Sequence, residues 1–294
     1  DSSDALAADS VSNAGPLAIG DDDWYPGTRC LLDELRLYSR PLSANEIQAL
    51  VRSTSHVPFK DMVLWLKADE GVETDANGRV TTWRDSSPAG HDADGGGAST
   101  RPLLVSNLVQ GLPAIEFEDY RMAYVPGLMG FTTDFSLVWV TRPHTTSNGN
   151  QKIHSPGGWG RFAFHTDESG SVFVGTDFDH RISPGAPPDG VPGGTVTTND
   201  WQVFQYTYAD GTGSLFKNGR LLASKAQPRG APWNGLQIGW EFPEGLDGEV
   251  AEVLMYRAGL SESDRIAAHR YLTGRYNPGD SDWDALPEIG RAHV

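Results

Sequence analysis

The chain has 294 residues and a formal net charge of -16, with 34 glycines, 19 prolines and nine tryptophans. An acidic field of this size repels phosphate backbones and anionic lipid surfaces, which disfavours nucleic acid and membrane partners. A single cysteine, Cys30, excludes an intrachain disulfide, and no run of about 18 apolar residues is available to span a bilayer.

In chain order, the first pattern is an echo. Leu17-Ala18-Ile19-Gly20, then Leu32 to Tyr38, then Leu42-Ser43 recur as Leu236-Gln237-Ile238-Gly239, Val250 to Tyr256 and Leu260-Ser261. Each copy reads as a strand, a loop, a second strand ending in Tyr and a short helix. Ser43 with Glu46, and Ser261 with Asp264, have capping-box spacing. Ile47 and Leu50 would dock the first helix, and Ile266, Leu272 and Tyr276 the second. If this unit closes a domain, the chain holds two domain ends and one beginning, the strand Met62 to Asp69. The expected organisation is therefore a truncated upstream domain over 1–52, a linker over 53–60, a complete domain over 61–277 and an Asp-rich tail over 278–294.

Between Trp65 and Tyr256 the pattern is all-β. Val80 to Trp83 follows the turn Asn77-Gly78, and Phe135 to Val140 is a strongly apolar run. Trp201 to Tyr208 alternates aromatic and polar residues, as a half-buried strand does. Leu215 to Leu222 contains Asn218-Gly219, whose positive φ angles suit a type I′ hairpin turn. The Pro- and Gly-dense stretch Ser183 to Gly194 reads as a long surface loop. Trp65, Trp83, Trp139 and Trp201 fall in strand patterns and are expected in the core.

These residues carry a resemblance. Leu64-Trp65-Leu66-Lys67-Ala68-Asp69 with Gly71, Trp83-Arg84-Asp85-Ser86-Ser87, Arg101-Pro102, Gly111 to Phe117, Lys217-Asn218-Gly219 and the strand–helix closure ending in Tyr271-Leu272 resemble the laminin-G-like jelly-roll domains of bacterial surface proteins. That family lies within the concanavalin A-like lectin/glucanase superfamily. The resemblance covers about 61–277, and its closing portion recurs at 17–52. It implies an all-β fold, a two-sheet antiparallel jelly-roll sandwich with a short C-terminal helix, preceded by the tail of a second such domain. It also implies an extracellular or cell-surface location. Function varies widely on this fold and has to be argued from a site.

Hydrolytic chemistry finds no motif. Retaining glycosidases need two carboxylates about 5 Å apart, and the related glucanases place them as Glu-x-Asp-x-x-Glu, which does not occur here. Glu70 and Glu73 fall near the Asn77-Gly78 turn, Asp247 and Glu249 at the entry to the last strand, and Glu252 at the family's structural Glu position. His-Glu-x-x-His, Gly-x-Ser-x-Gly and phosphate-loop patterns are also absent. The expectation is a chain that is not an enzyme. Sugar sites stack C–H faces on aromatic rings and use carboxylates for hydroxyls. Candidate ligand-binding residues are accordingly Trp159, Trp233, Trp240 and Phe242, with Asp177 and Asp179, for a glycan or surface glycoprotein. Asp177-Phe178-Asp179-His180 could also offer two carboxylates and an imidazole to a metal, and a polar strand end leading into the Pro-rich loop is the favoured reading beside it.

After the sandwich, Asp280, Asp282 and Asp284 resemble the opening of an Asp-rich calcium-binding repeat, alternate carboxylates that can converge on one Ca²⁺. Ala285 stands where such loops prefer Gly, and an acidic linker is the other reading. Glu288 to Val294 reads like the in-frame translation of a sequencing adapter, as expected of a metagenomic fragment. The sequence thus favours a non-catalytic glycan-binding or adhesion module of a secreted multidomain protein. A structural spacer repeat, or an accessory domain of a polysaccharide-degrading enzyme, stays open beside it.

Overall fold

The computed structural model describes residues 38–43, 57–118, 120–128, 134–146, 153–154, 162–167, 169–176, 181–183, 195–230, 234–239 and 245–276. The chain divides into two compact units, Asp1–Ile47 and Gln48–Val294, and the second carries the strands β1 (Met62–Lys67), β2 (Val72–Thr74), β3 (Val80–Trp83), β4 (Ala93–Asp94), β5 (Leu103–Val109), β6 (Leu112–Phe117), β7 (Met122–Pro126) and β8 (Phe135–Pro143). They continue as β9 (Ile153–His154), β10 (Ala163–Thr166), β11 (Val172–Gly175), β12 (Gln202–Ala209), β13 (Thr212–Lys217), β14 (Arg220–Ala226), β15 (Gly235–Gly239) and β16 (Gly248–Tyr256). One helix follows, α1 (Glu262–Tyr276).

The strands form two antiparallel sheets. The first runs β14-β13-β12-β8-β16-β6-β5, and the second β11-β10-β9-β15-β7-β4-β3-β2. Strand β16 pairs with β8 along its whole length. Its other edge is shared, with β6 beside Gly248 to Val250 and β1 beside Glu252 to Tyr256. A bulge at Ala251 separates these halves, the extra residue letting one strand change partners.

Alternation divides the apolar residues between two clusters. On β8, Phe135, Leu137 and Trp139 point between the sheets, while Val138 and Val140 point outward beneath α1. Trp139 bridges the sheets, lying edge-on to Phe164 of β10 at 4.6 Å and stacked on Phe204 of β12 at 5.5 Å. Such pairs add about 0.5–1.5 kcal/mol each beyond their burial. Ile266, Leu272 and Tyr276 of α1 are buried, as expected from their spacing.

Ser261 Oγ accepts the Asp264 N–H at 3.2 Å, but the reciprocal half of the expected capping box differs: the Asp264 carboxylate accepts from the Ser261 hydroxyl at 2.7 Å, not from its backbone. The Asn218-Gly219 turn has φ of 48° and 84°, the positive pair a type I′ hairpin needs. In the Trp83-Arg84-Asp85-Ser86-Ser87 motif, Asp85 accepts from the N–H groups of Trp65, Ser87 and His91 at 2.7–2.8 Å, tying the loop to β1. The earlier copy of the closing unit, with Ser43–Glu46, Ile47 and Leu50, lies outside the described residues apart from 38–43. Among the described residues no helix is long and apolar enough to cross a membrane.

Candidate functional site

The outer face of the first sheet carries two polar groupings. The first lies under α1 and is closed. Glu252 is fully buried; it accepts hydrogen bonds from Trp65 Nε1 at 2.5 Å and Tyr276 Oη at 2.6 Å, with Arg275 Nε 3.4 Å away. Burial raises its carboxyl above the usual range, against the pull of these donors and of Arg275. No ligand can reach it, so Glu252 fastens the helix to the sheet, in agreement with its expected structural role. Trp65 and Trp83 differ here. Trp83 is buried with Trp139 as expected, whereas Trp65 and Trp201 are only half-buried and sit on the outer face. The physical reason is that both faces of this sheet are apolar, so alternation alone does not say which face a tryptophan takes.

The second grouping lies at the start of β16. Sheet register sets Glu249 directly opposite Glu116 of β6 on one side and Arg142 of β8 on the other. Arg142 grips Glu249 with a two-pronged hydrogen bond, Nε to Oε2 at 2.9 Å and Nη2 to Oε1 at 2.6 Å. Fork-to-carboxylate geometry of this kind gives strong, orientation-specific pairing. His144, one residue past the strand, places Nε2 2.9 Å from Glu249 Oε1 and Nδ1 3.3 Å from Asp247 Oδ1. The His144 N–H also donates to the Asp247 carbonyl at 2.9 Å, which fixes the ring's backbone. The Arg142 guanidinium lies 5.4 Å from the centre of the Trp201 ring. Glu116 is half-buried, and its carboxyl is raised first by burial and then by the charges of Glu249 and Glu118.

One oxygen or nitrogen from each of Glu116, His144 and Glu249 lies within 4.8 Å of the other two. Two carboxylates therefore do stand side by side at roughly the spacing a retaining glycosidase uses, an adjacency that no local sequence pattern signals. The pair is closed to substrate. Glu249 is only 2% exposed and both its oxygens are held by Arg142, so neither is free to attack an anomeric carbon. The same three side chains form a donor set a cation could use.

Elsewhere, an open depression of about 430 Å³ is lined by Asp134, Arg229, Arg257, Ala258 and Gly259. Its charged mouth lacks the apolar walls of a typical small-molecule pocket. The binding candidates Trp159, Trp233, Trp240, Phe242, Asp177 and Asp179, and the calcium candidates Asp280, Asp282 and Asp284, lie outside the described residues. The strand ends that adjoin several of them are described. His154, Ala163 and Gly175 stand in register at one end of the second sheet, and β15 begins at that same end with Gly235. Gly239, the last residue of β15, is at the other end.

Residues 122–264 match the Laminin_G_3 family model of the concanavalin A-like lectin/glucanases superfamily. The sandwich has a concanavalin A-like fold. No curated protein matches the sequence. Among solved structures, this chain is similar to Trypanosoma rangeli sialidase, with 18% identity, a TM-score of 0.53, and coverage of 74% of this chain and 33% of the sialidase. It is also similar to the binding domain of Paraclostridial Mosquitocidal Protein 1, with 12% identity, a TM-score of 0.54 and coverage of 71% and 52%. The botulinum neurotoxin serotype D binding domain gives 13%, 0.52, 72% and 52% for the same measures. The chain thus spans a third of the sialidase and about half of the toxin domains, and at these identities the likeness concerns fold alone.

Proposed function

We propose that the concanavalin A-like domain is a non-catalytic module that binds a glycan or surface glycoprotein, within a secreted or surface multidomain protein. The observation that carries the non-catalytic half is the state of Glu249. The carboxylate pair at hydrolytic spacing has one member sealed under Arg142 and almost without solvent access. Supporting the binding half, two of the similar structures are named as toxin binding domains, and the matching family model is described by its lectins and glucanases.

Trp159, Trp233, Trp240 and Phe242, with Asp177 and Asp179, are the proposed ligand residues, supported by their chemistry: rings for sugar C–H faces and carboxylates for hydroxyls. Asp280, Asp282 and Asp284 are the proposed Ca²⁺ ligands, supported by their alternate spacing.

A broad glycan array of the full chain tests the reading. The expected result is a defined glycan signal that Trp159→Ala and Trp233→Ala each reduce about tenfold, as losing about 1.4 kcal/mol would, without lowering the melting temperature. Trp240→Ala should reduce the signal likewise. A blank array, or a signal indifferent to Trp159 and Trp233, would favour a spacer instead.

A further inference from the structure

We propose that Glu116, His144 and Glu249 bind one divalent transition-metal ion of the zinc class, with Asp247 and Arg142 orienting the ligands from behind. The three donors come from β6, the end of β8 and β16, and their ligand atoms lie within 4.8 Å of one another. Oxygen and nitrogen donors at roughly 2.0–2.2 Å from one ion stand no more than about 4.4 Å apart. Small side-chain rotations on a fixed sheet therefore close the set.

Histidine chemistry gives the second reason. A neutral imidazole has one N–H and one lone pair. Asp247, 3.3 Å from Nδ1 and fixed to the same turn by the His144 N–H, is the natural acceptor for the proton on that nitrogen. In the tautomer with its proton on Nδ1, the Nε2 lone pair lies 2.9 Å from Glu249 Oε1, so both atoms can ligate one ion. A carboxylate on the far nitrogen of a ligating histidine is the usual outer-shell arrangement in metal sites, where ligating carboxylates are themselves hydrogen-bonded.

Glu116 completes the set. It faces Glu249 across the β6–β16 ladder, half-buried beside a like charge, with no hydrogen-bond donor among the described residues. Glu249 is the anchored ligand. Each of its oxygens has a second lone pair available after Arg142 is satisfied. Two carboxylates and an imidazole suit Zn²⁺ or Mn²⁺, whereas Ca²⁺ takes six to eight oxygens. Because Glu116 and His144 are only half-buried, the ion would be reachable from solvent.

The full chain, stripped with chelator, would be titrated with Zn²⁺ by calorimetry and with Co²⁺ by visible absorption. Expected are ligand-field absorption from Co²⁺ and a Zn²⁺-induced rise in melting temperature. Glu116→Gln and His144→Gln should each weaken binding by about 100-fold or more, and Asp247→Asn by about 10–100-fold. Melting shifts are read with and without metal in the same variant, so any cost to folding cancels, and either surface variant alone suffices should the other fold poorly. Wild type with neither heat nor absorption would overturn the proposal. So would variants that bind like wild type, because the ion would then sit elsewhere, for example on Asp280, Asp282 and Asp284.

Discussion

Glu252 is the residue on which the helix–sheet contact depends most. A buried carboxylate costs several kcal/mol to desolvate, and what offsets that cost is Trp65 Nε1, the Tyr276 hydroxyl and Arg275 converging on its two oxygens. Removing it leaves Trp65 Nε1 and the Tyr276 hydroxyl without their acceptor and takes one of two carboxylates from Arg275, which keeps Asp69. Glu252→Ala should therefore lose about 3–5 kcal/mol, read as a lower urea midpoint at unchanged m-value, whereas Glu70→Ala, an exposed partner of Lys67, should change stability by less than about 1 kcal/mol. Glu252 was legible in the sequence because it falls in a matched motif. Glu116 belongs to a matched motif too, yet its partnership with Glu249 was not legible. The two are far apart in the chain, and only the register of β6 on β16 makes them neighbours. Tryptophans show the same limit: Trp83 and Trp139 fill the core, but Trp65 and Trp201 occupy the opposite face of the same sandwich's first sheet.

At the scale of elements, local chemistry made most of the fold legible. The Asn218-Gly219 hairpin, β3 and β8 could be found because turn residues and alternation act over a few positions. Short pieces such as β4, β9 and β2 could not, because two or three residues hold too little pattern and are strands only through their neighbours. The hairpin turn is also a tertiary joint. Asn218 Oδ1 accepts the Val203 N–H at 2.8 Å, and the Asn218 N–H donates to the Val203 carbonyl at 2.8 Å, so the turn is pinned to β12. Gly219 at φ 84° lies where a Cβ meets its own carbonyl. Gly219→Ala should cost about 1–2 kcal/mol, measured by urea unfolding. Gly230→Ala would be a different experiment, since a Cβ there meets the Thr176 carbonyl oxygen at 2.1 Å in ordinary φ space. An unchanged midpoint for Gly219→Ala would show that the turn is not type I′.

For the molecule as a whole, the response to acid opposes two contributions. A net charge of -16 at pH 7 repels itself, and protonating exposed carboxylates relieves that strain as pH falls. Glu252 acts in the same direction, because its folded carboxyl is raised by burial: its contribution is present at low pH and is lost as pH rises through the folded value. His269 acts against them. It is fully buried on α1, and burial, followed by the nearby charges of Arg265 and Arg270, lowers it from 6.5 to about 4. The unfolded chain therefore takes up this proton first. The stability His269 contributes is complete above pH 6.5 and is lost as pH falls toward 4, with a limiting slope of about 1.4 kcal/mol per pH unit. His269→Gln should remove that slope, so the stability of wild type minus variant, from urea melts at pH 7.5, 6 and 5, should fall steadily toward acid by about 2 kcal/mol in all. A constant difference across that range would mean that His269 titrates alike in the folded and unfolded chains. The helix would then be less tightly sealed against the first sheet than the burial of Leu272, Tyr276 and Glu252 requires.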